Sequence, residues 1–173
     1  MPNSHSISED AEVWTRWVSA APFSAWLCHL SATTGFAPEA IAVAAGVPTS
    51  VGRRLAQNLA RHHRIRLIDA RNLMALDSDK LLQLGARLAD STAASRALRD
   101  LGLWRPDPPY LAASLGISQD VAEGLLNGWL ASCPLSVIWH CLALTQDIVH
   151  ARTMSAYEPH THPAETEPAA LAA

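Results

Sequence analysis

A chain of 173 residues, 49% hydrophobic and with a formal charge of −3, is long enough for one domain or two small ones. Its apolar runs fall well short of the roughly 20 residues a membrane helix needs, so no membrane partner is expected. Three cysteines, an odd number, do not make a disulfide framework, and an N-terminus without a basic flank and an apolar block carries no secretory signal, which makes the cytosol the expected compartment.

Residues 1–10 are polar and read as disordered. The apolar spacing of Val13, Trp14, Trp17, Val18, Ala21, Trp26, Leu27 and Leu30 predicts helix from Ala11 to Ala32, broken around Pro22. Pro38 suits the first turn of a short helix reaching about Ala45. Gly46-Val47-Pro48 reads as a turn, and Thr49 or Ser50 can cap a helix over residues 49–60. A basic loop follows, then a helix from Leu67. Asp77-Ser78-Asp79 reads as the cap of a helix over about 80–89, with another at about 92–101. Arg105-Pro106-Asp107-Pro108-Pro109 is a rigid break before helices at about 109–115, 119–127 and 135–148. Residues 151–173 are rich in Pro, Ala, His and Glu without apolar period and read as a disordered tail. No alternating pattern is long enough for a strand, so the fold class is all-α.

Charge is unevenly placed. Residues 1–76 hold seven Arg and five acids, whereas residues 77–173 hold six basic residues and eleven acids. The stretch 50–71 alone carries Arg53, Arg54, Arg61, Arg64, Arg66 and Arg71 against one acid, Asp69. A local excess of this kind within an acidic chain is either a solvated helix face or an electrostatic binding patch.

An internal repeat chooses between them. Ala42, Gly46, Val47, Val51 and Leu55 recur seventy residues later as Ala112, Gly116, Ile117, Val121 and Leu125, and Leu76 and Leu144 are related by an offset of 68. Such spacing suits a helix-turn-helix. A small side chain sits where two helices cross, glycine takes the left-handed turn, a branched apolar residue plugs the interior, and i, i+4 apolar residues form the inner face of the second helix. Two small helical domains follow, at 11–79 and 80–150, each containing this motif, between disordered termini.

The residues from Gly46 to Leu55, with Arg64-Ile65-Arg66 and Ala70 to Leu76, resemble helix-turn-helix domains of the phage-repressor/Cro-like superfamily, and small actinobacterial and actinophage regulators in particular. The resemblance covers residues 23–77, and residues 97–148 look like a diverged second copy. It implies a sequence-specific transcriptional regulator, most simply a repressor of phage or prophage immunity type, associated with the nucleoid, whose partner is double-stranded DNA. The second helix then enters the major groove. Its outward residues Thr49, Ser50, Arg53, Arg54 and Gln57 are the candidate base readers: Arg pairs with guanine, Gln with adenine, and the hydroxyls with bases or phosphate. Arg61, Arg64 and Arg66 are candidate phosphate contacts.

The second copy presents Ser118, Gln119, Asp120, Glu123, Gly124 and Asn127 instead, and two acids would repel phosphate. Residues 80–150 are therefore expected to serve a homodimer or a protein partner, with Trp129 and Trp139 read as core. Alternative readings are an adaptor acting on the transcription machinery and a nucleoid-type architectural binder. Cys133, His140 and Cys141 do not form a metal-binding spacing, since adjacent helical residues point about 100° apart. No catalytic grouping or phosphate loop stands out, so neither an enzyme nor a cofactor is expected.

Overall fold

The computed structural model describes residues 16–57 and 64–156. The expectations placed on residues 1–15, on Arg61 and on the tail beyond 156 lie outside the described residues.

The described chain is mostly helical, with two small antiparallel strand pairs. In order come β1 (Trp17–Ser19), α1 (Ala21–Thr34), α2 (Pro38–Ala44), α3 (Thr49–Ala56), β2 (Arg64–Arg66), α4 (Leu67–Met74) and α5 (Ser78–Gly85). Then follow β3 (Leu88–Asp90), α6 (Thr92–Asp100), a 3-10 turn (Gly102–Trp104), α7 (Pro108–Leu115), α8 (Gln119–Asn127), β4 (Ser132–Pro134) and α9 (Leu135–Ala156). The sequence strand, helix, helical pair, strand, helix thus occurs twice. In each half the strand before the first helix pairs with the strand after the helical pair: Val18 opposes Ile65 and Ala89 opposes Cys133.

Three expectations change. Trp17 and Val18 are not helical. They form β1, which pairs with β2, and the Leu67 amide donates to the Arg16 carbonyl 2.8 Å away. The strands escape a reading by alternation because each is only three residues long. Residues 151–156, assigned to the tail, continue α9 to Ala156. Leu88 and Ala89, assigned to the end of a helix, form β3 with Asp90.

Two apolar clusters hold the chain together. The first contains Leu27, Leu30, Ile41, Leu55, Leu73 and Leu81, all fully buried or nearly so. The second contains Leu98, Leu111, Leu125, Leu126 and Cys141. Leu81 lies on α5, so the helix that spans the 79/80 boundary packs on the first cluster. Trp139 crosses over. It leaves the second half on α9 and enters the first cluster, edge-on to Phe36 with ring centroids 6.2 Å apart.

Both helical pairs turn in the same way. Gly46 and Gly116 are left-handed, with φ of 67° and 64°. The next amides, of Val47 and Ile117, donate to the carbonyls of Ala42 and Ala112 at 2.8 and 3.1 Å. That bond satisfies a carbonyl at the end of the first helix and sends the chain into the second.

Candidate functional site

The basic segment around α3 is the region of interest. Val51, Gly52 and Leu55 face inward, and Gly52 lies against α2: a Cβ there would fall 2.8 Å from that of Ala42 and 3.0 Å from the Pro38 carbonyl oxygen. This close crossing fixes the roll of α3 and decides which side chains reach solvent. Ser50 and Arg54 on α3, and Gln57 just past its end, are exposed at i, i+4 and i+7, a single stripe. The Arg54 Nε donates to the Ser50 carbonyl at 3.3 Å, which lays the guanidinium along the stripe.

Thr49 and Arg53 lie on a different side. Thr49 is only 6% exposed, and its hydroxyl donates to Oε1 of Gln146 on α9 at 2.9 Å. The Arg53 guanidinium pairs with the Asp147 carboxylate of α9, and its Nε lies 3.7 Å from Glu39 of α2. Two of the five candidate readers are thus engaged within the chain. Burial pushes the Asp147 carboxyl above its ordinary range. Arg53 pulls it back, Glu39 raises it further and His150 lowers it.

Arg64 and Arg66 are exposed on β2, on the opposite side from buried Ile65. Arg66 spans both oxygens of Asp69 through Nε at 2.9 Å and a terminal nitrogen at 3.3 Å. Asp69 is buried, so this pair is an anchor for the start of α4. Arg64 has no ion-pair partner among the described residues. The fold therefore brings Ser50, Arg54 and Gln57 together on one edge of α3, leaves Arg64 exposed on β2, and diverts Thr49, Arg53 and Arg66.

The second pair differs. Asp120 is exposed, and Glu123 accepts from the Gln119 side-chain amide at 3.1 Å. Gly124 does not face outward: it is buried, with Leu130 Cβ 3.1 Å from where its own Cβ would be. Trp129, read as core, is 69% exposed, its indole N–H donating to the Glu123 carbonyl at 3.0 Å. Leu103 and Trp104 are also exposed, and the Arg105 guanidinium donates to Oδ1 of Asn127 at 3.2 Å, which ties the 3-10 turn to the end of α8.

Cys133 and Cys141 are buried. Burial raises both thiols, Cys141 to about 12 with Cys133 adding to the effect. His140 is committed: Nδ1 meets the Ser136 carbonyl at 2.8 Å, and Nε2 accepts the Ala37 amide at 3.3 Å. Among the described residues no three His, Cys, Asp or Glu side chains gather as a metal site, and no helix is long and apolar enough to cross a membrane.

Glu39, Gln146 and Asp147 are the site residues that sequence reasoning missed. Glu39 was open to discovery, since a helical pair of this spacing sets its first turn against Arg53. Asp147 lies 94 residues from Arg53, and no local spacing announces it. No protein-family model, no curated protein and no solved structure matches this chain.

Proposed function

We propose that the chain is a sequence-specific double-stranded DNA-binding regulator, built from two helix-turn-helix units of which the first reads the major groove. The observation that carries this reading is the exposed stripe Ser50, Arg54 and Gln57 on α3, with Arg64 exposed on β2. A helix about 10 Å across fits the major groove, and a stripe of hydroxyl, guanidinium and amide groups offers the donors and acceptors that base edges recognise. Arg54 is the guanine reader, Gln57 the adenine reader, and Arg64 a phosphate contact. The second unit, with Asp120 in place of Ser50, the buried Gly124 in place of Arg54 and Glu123 in place of Arg53, does not read the groove in this way.

The test is a gel-shift series with duplexes selected from a random pool by the protein itself, run against unselected DNA at two salt concentrations. Arg54→Ala is expected to cost about 1–3 kcal/mol and to relax preference at one base position. Arg64→Ala is expected to weaken selected and unselected DNA alike and to reduce the salt slope by about one. Undiminished affinity in both variants overturns the assignment.

A second reading, protein contact through the second unit, is favoured by the exposure of Leu103, Trp104 and Trp129. Sedimentation over a concentration series checks it. A dimer that Trp104→Ser and Trp129→Ser dissociate supports a self-contact there, and a monomer throughout removes it.

A further inference from the structure

The α9 helix is longer than its counterpart in the first half, and the reason can be read residue by residue. At an offset of 68, α4 and α5 together correspond to α9. Between α4 and α5 the chain breaks at Asp77, whose carboxylate caps α5 by accepting the Lys80 amide at 2.7 Å. The corresponding residue in α9 is Thr145. Its hydroxyl donates instead to the Leu142 carbonyl of its own helix, so no break occurs and the helix runs on to Ala156. The uninterrupted segment passes beside the N-terminal end of α3.

There it offers α3 the chemistry that DNA would offer. The Gln146 amide oxygen accepts from the Thr49 hydroxyl as a base-edge acceptor would, and the Asp147 carboxylate takes the Arg53 guanidinium as a phosphate would. The contact is closed at Thr49 and Thr145, which are buried, and open beyond them. A cavity of about 490 Å³ remains between the helices, walled by Pro48, Ser50, Ala97, Asp100, Val149 and His150. Val149 and the residues from His150 to Met154 are exposed, so the end of α9 is held by few apolar contacts.

We propose that the segment of α9 from Thr145 onward is an internal competitor for DNA, which occupies Thr49 and Arg53 in the free protein and yields both side chains when the duplex binds. This rests on α3 being the reading helix. Release frees two readers beside the exposed stripe, and until it occurs the apparent affinity of the resting protein is the intrinsic affinity multiplied by the fraction of molecules that are open.

The experiment compares the wild-type chain with Asp147→Asn and Gln146→Ala on a selected duplex, and with the unselected pool if the wild type binds too weakly for selection. Asp120→Asn, which makes the same charge change on exposed α8, is the control. Asp147→Asn is expected to bind about threefold to fivefold more tightly, as release of a partly exposed ion pair allows, with Asp120→Asn changing affinity less. Amide exchange within 145–156 should quicken when DNA is added. Unchanged or weaker binding by Asp147→Asn, or a gain matched by Asp120→Asn, overturns the competitor while leaving the reading helix standing if Arg54→Ala still lowers affinity. Exchange that slows or stays constant on DNA addition also overturns it. Absence of any shift by the wild type and Asp147→Asn alike overturns the competitor and the reading helix together.

Discussion

Between α2 and α3 the helices cross at Ala42 and Gly52; between α7 and α8 the corresponding residues are Ala112 and Ala122. The first crossing is too close for a methyl group, and the second accommodates one. Around these crossings the same apolar scaffold is kept: Leu27 and Leu98, Ile41 and Leu111, Leu55 and Leu125 are buried in pairs. What lies on the other faces has changed: exposed Ser50 corresponds to Asp120, Arg53 to Glu123, and exposed Arg54 to the buried Gly124. The comparison teaches that burial constrains one face of each helical pair tightly and leaves the other free to diverge, so shared architecture does not carry shared chemistry.

The largest effect is expected from exchanging the crossing residues. Gly52→Ala should lose about 2–3 kcal/mol in urea denaturation, because the new methyl meets Ala42 Cβ and the Pro38 carbonyl and the backbone must shift. Ala122→Gly should lose only about 1 kcal/mol, mostly from helix propensity. Equal losses at the two sites would erase the distinction between close and open crossings.

A second contrast lies beneath the helical pairs. Ser24 on α1 donates its hydroxyl to the Leu55 carbonyl, whereas Ser95, its counterpart on α6, is buried with no hydrogen-bond partner. Ser24→Ala is expected to cost about 1 kcal/mol, and Ser95→Ala to be neutral or slightly stabilising. Urea midpoints of the two variants check this directly. A costly Ser95→Ala would mean that the hydroxyl is satisfied in solution.

The smallest effect concerns Asp147. Its folded pKa is raised, because burial outweighs the attraction of Arg53 while Glu39 adds repulsion and His150 opposes it. A raised folded value means that the carboxyl favours the folded state most below its unfolded pKa, and that this contribution is lost as pH rises through the folded value. At neutral pH, Asp147→Asn should therefore change stability by less than about 1 kcal/mol, since the burial cost it relieves opposes the ion pair it removes. Any gain of Asp147→Asn over the wild type should shrink as the medium is acidified through the carboxyl range. A variant that is clearly destabilised at neutral pH would make Asp147 a structural strut.

Much of the helical framework was legible because the repeat is written in residues with narrow conformational demands. Gly46 and Gly116 mark the turns, Pro38 a helix start and Asp77 a cap that accepts a first-turn amide; Asp107 and Ser118 cap α7 and α8 in the same way, but stood in stretches read as a rigid break and as an outward face. The strands were not legible, because three residues cannot display a period of two, and Trp17-Val18 next to a helix reads as more helix. The end of α9 was missed because apolar spacing stops near Ile148, while His150, Arg152 and Thr153 continue the helix with polar side chains. Within the site, the exposed stripe followed from the inward register of Val51 and Leu55. The diversion of Thr49 and Arg53 depends on α9, and a contact between residues so distant in the chain leaves no local trace.

Trp139 has a consequence for how the molecule is made. It belongs to the helix that closes the second half, yet it completes the first cluster against Phe36, whose ring also lies 5.7 Å from that of His140. During synthesis the first half emerges with that side of its core open to water and finishes only when residue 139 is available. The two halves are thus coupled in time as well as in space, and removing the second would expose apolar surface of the first.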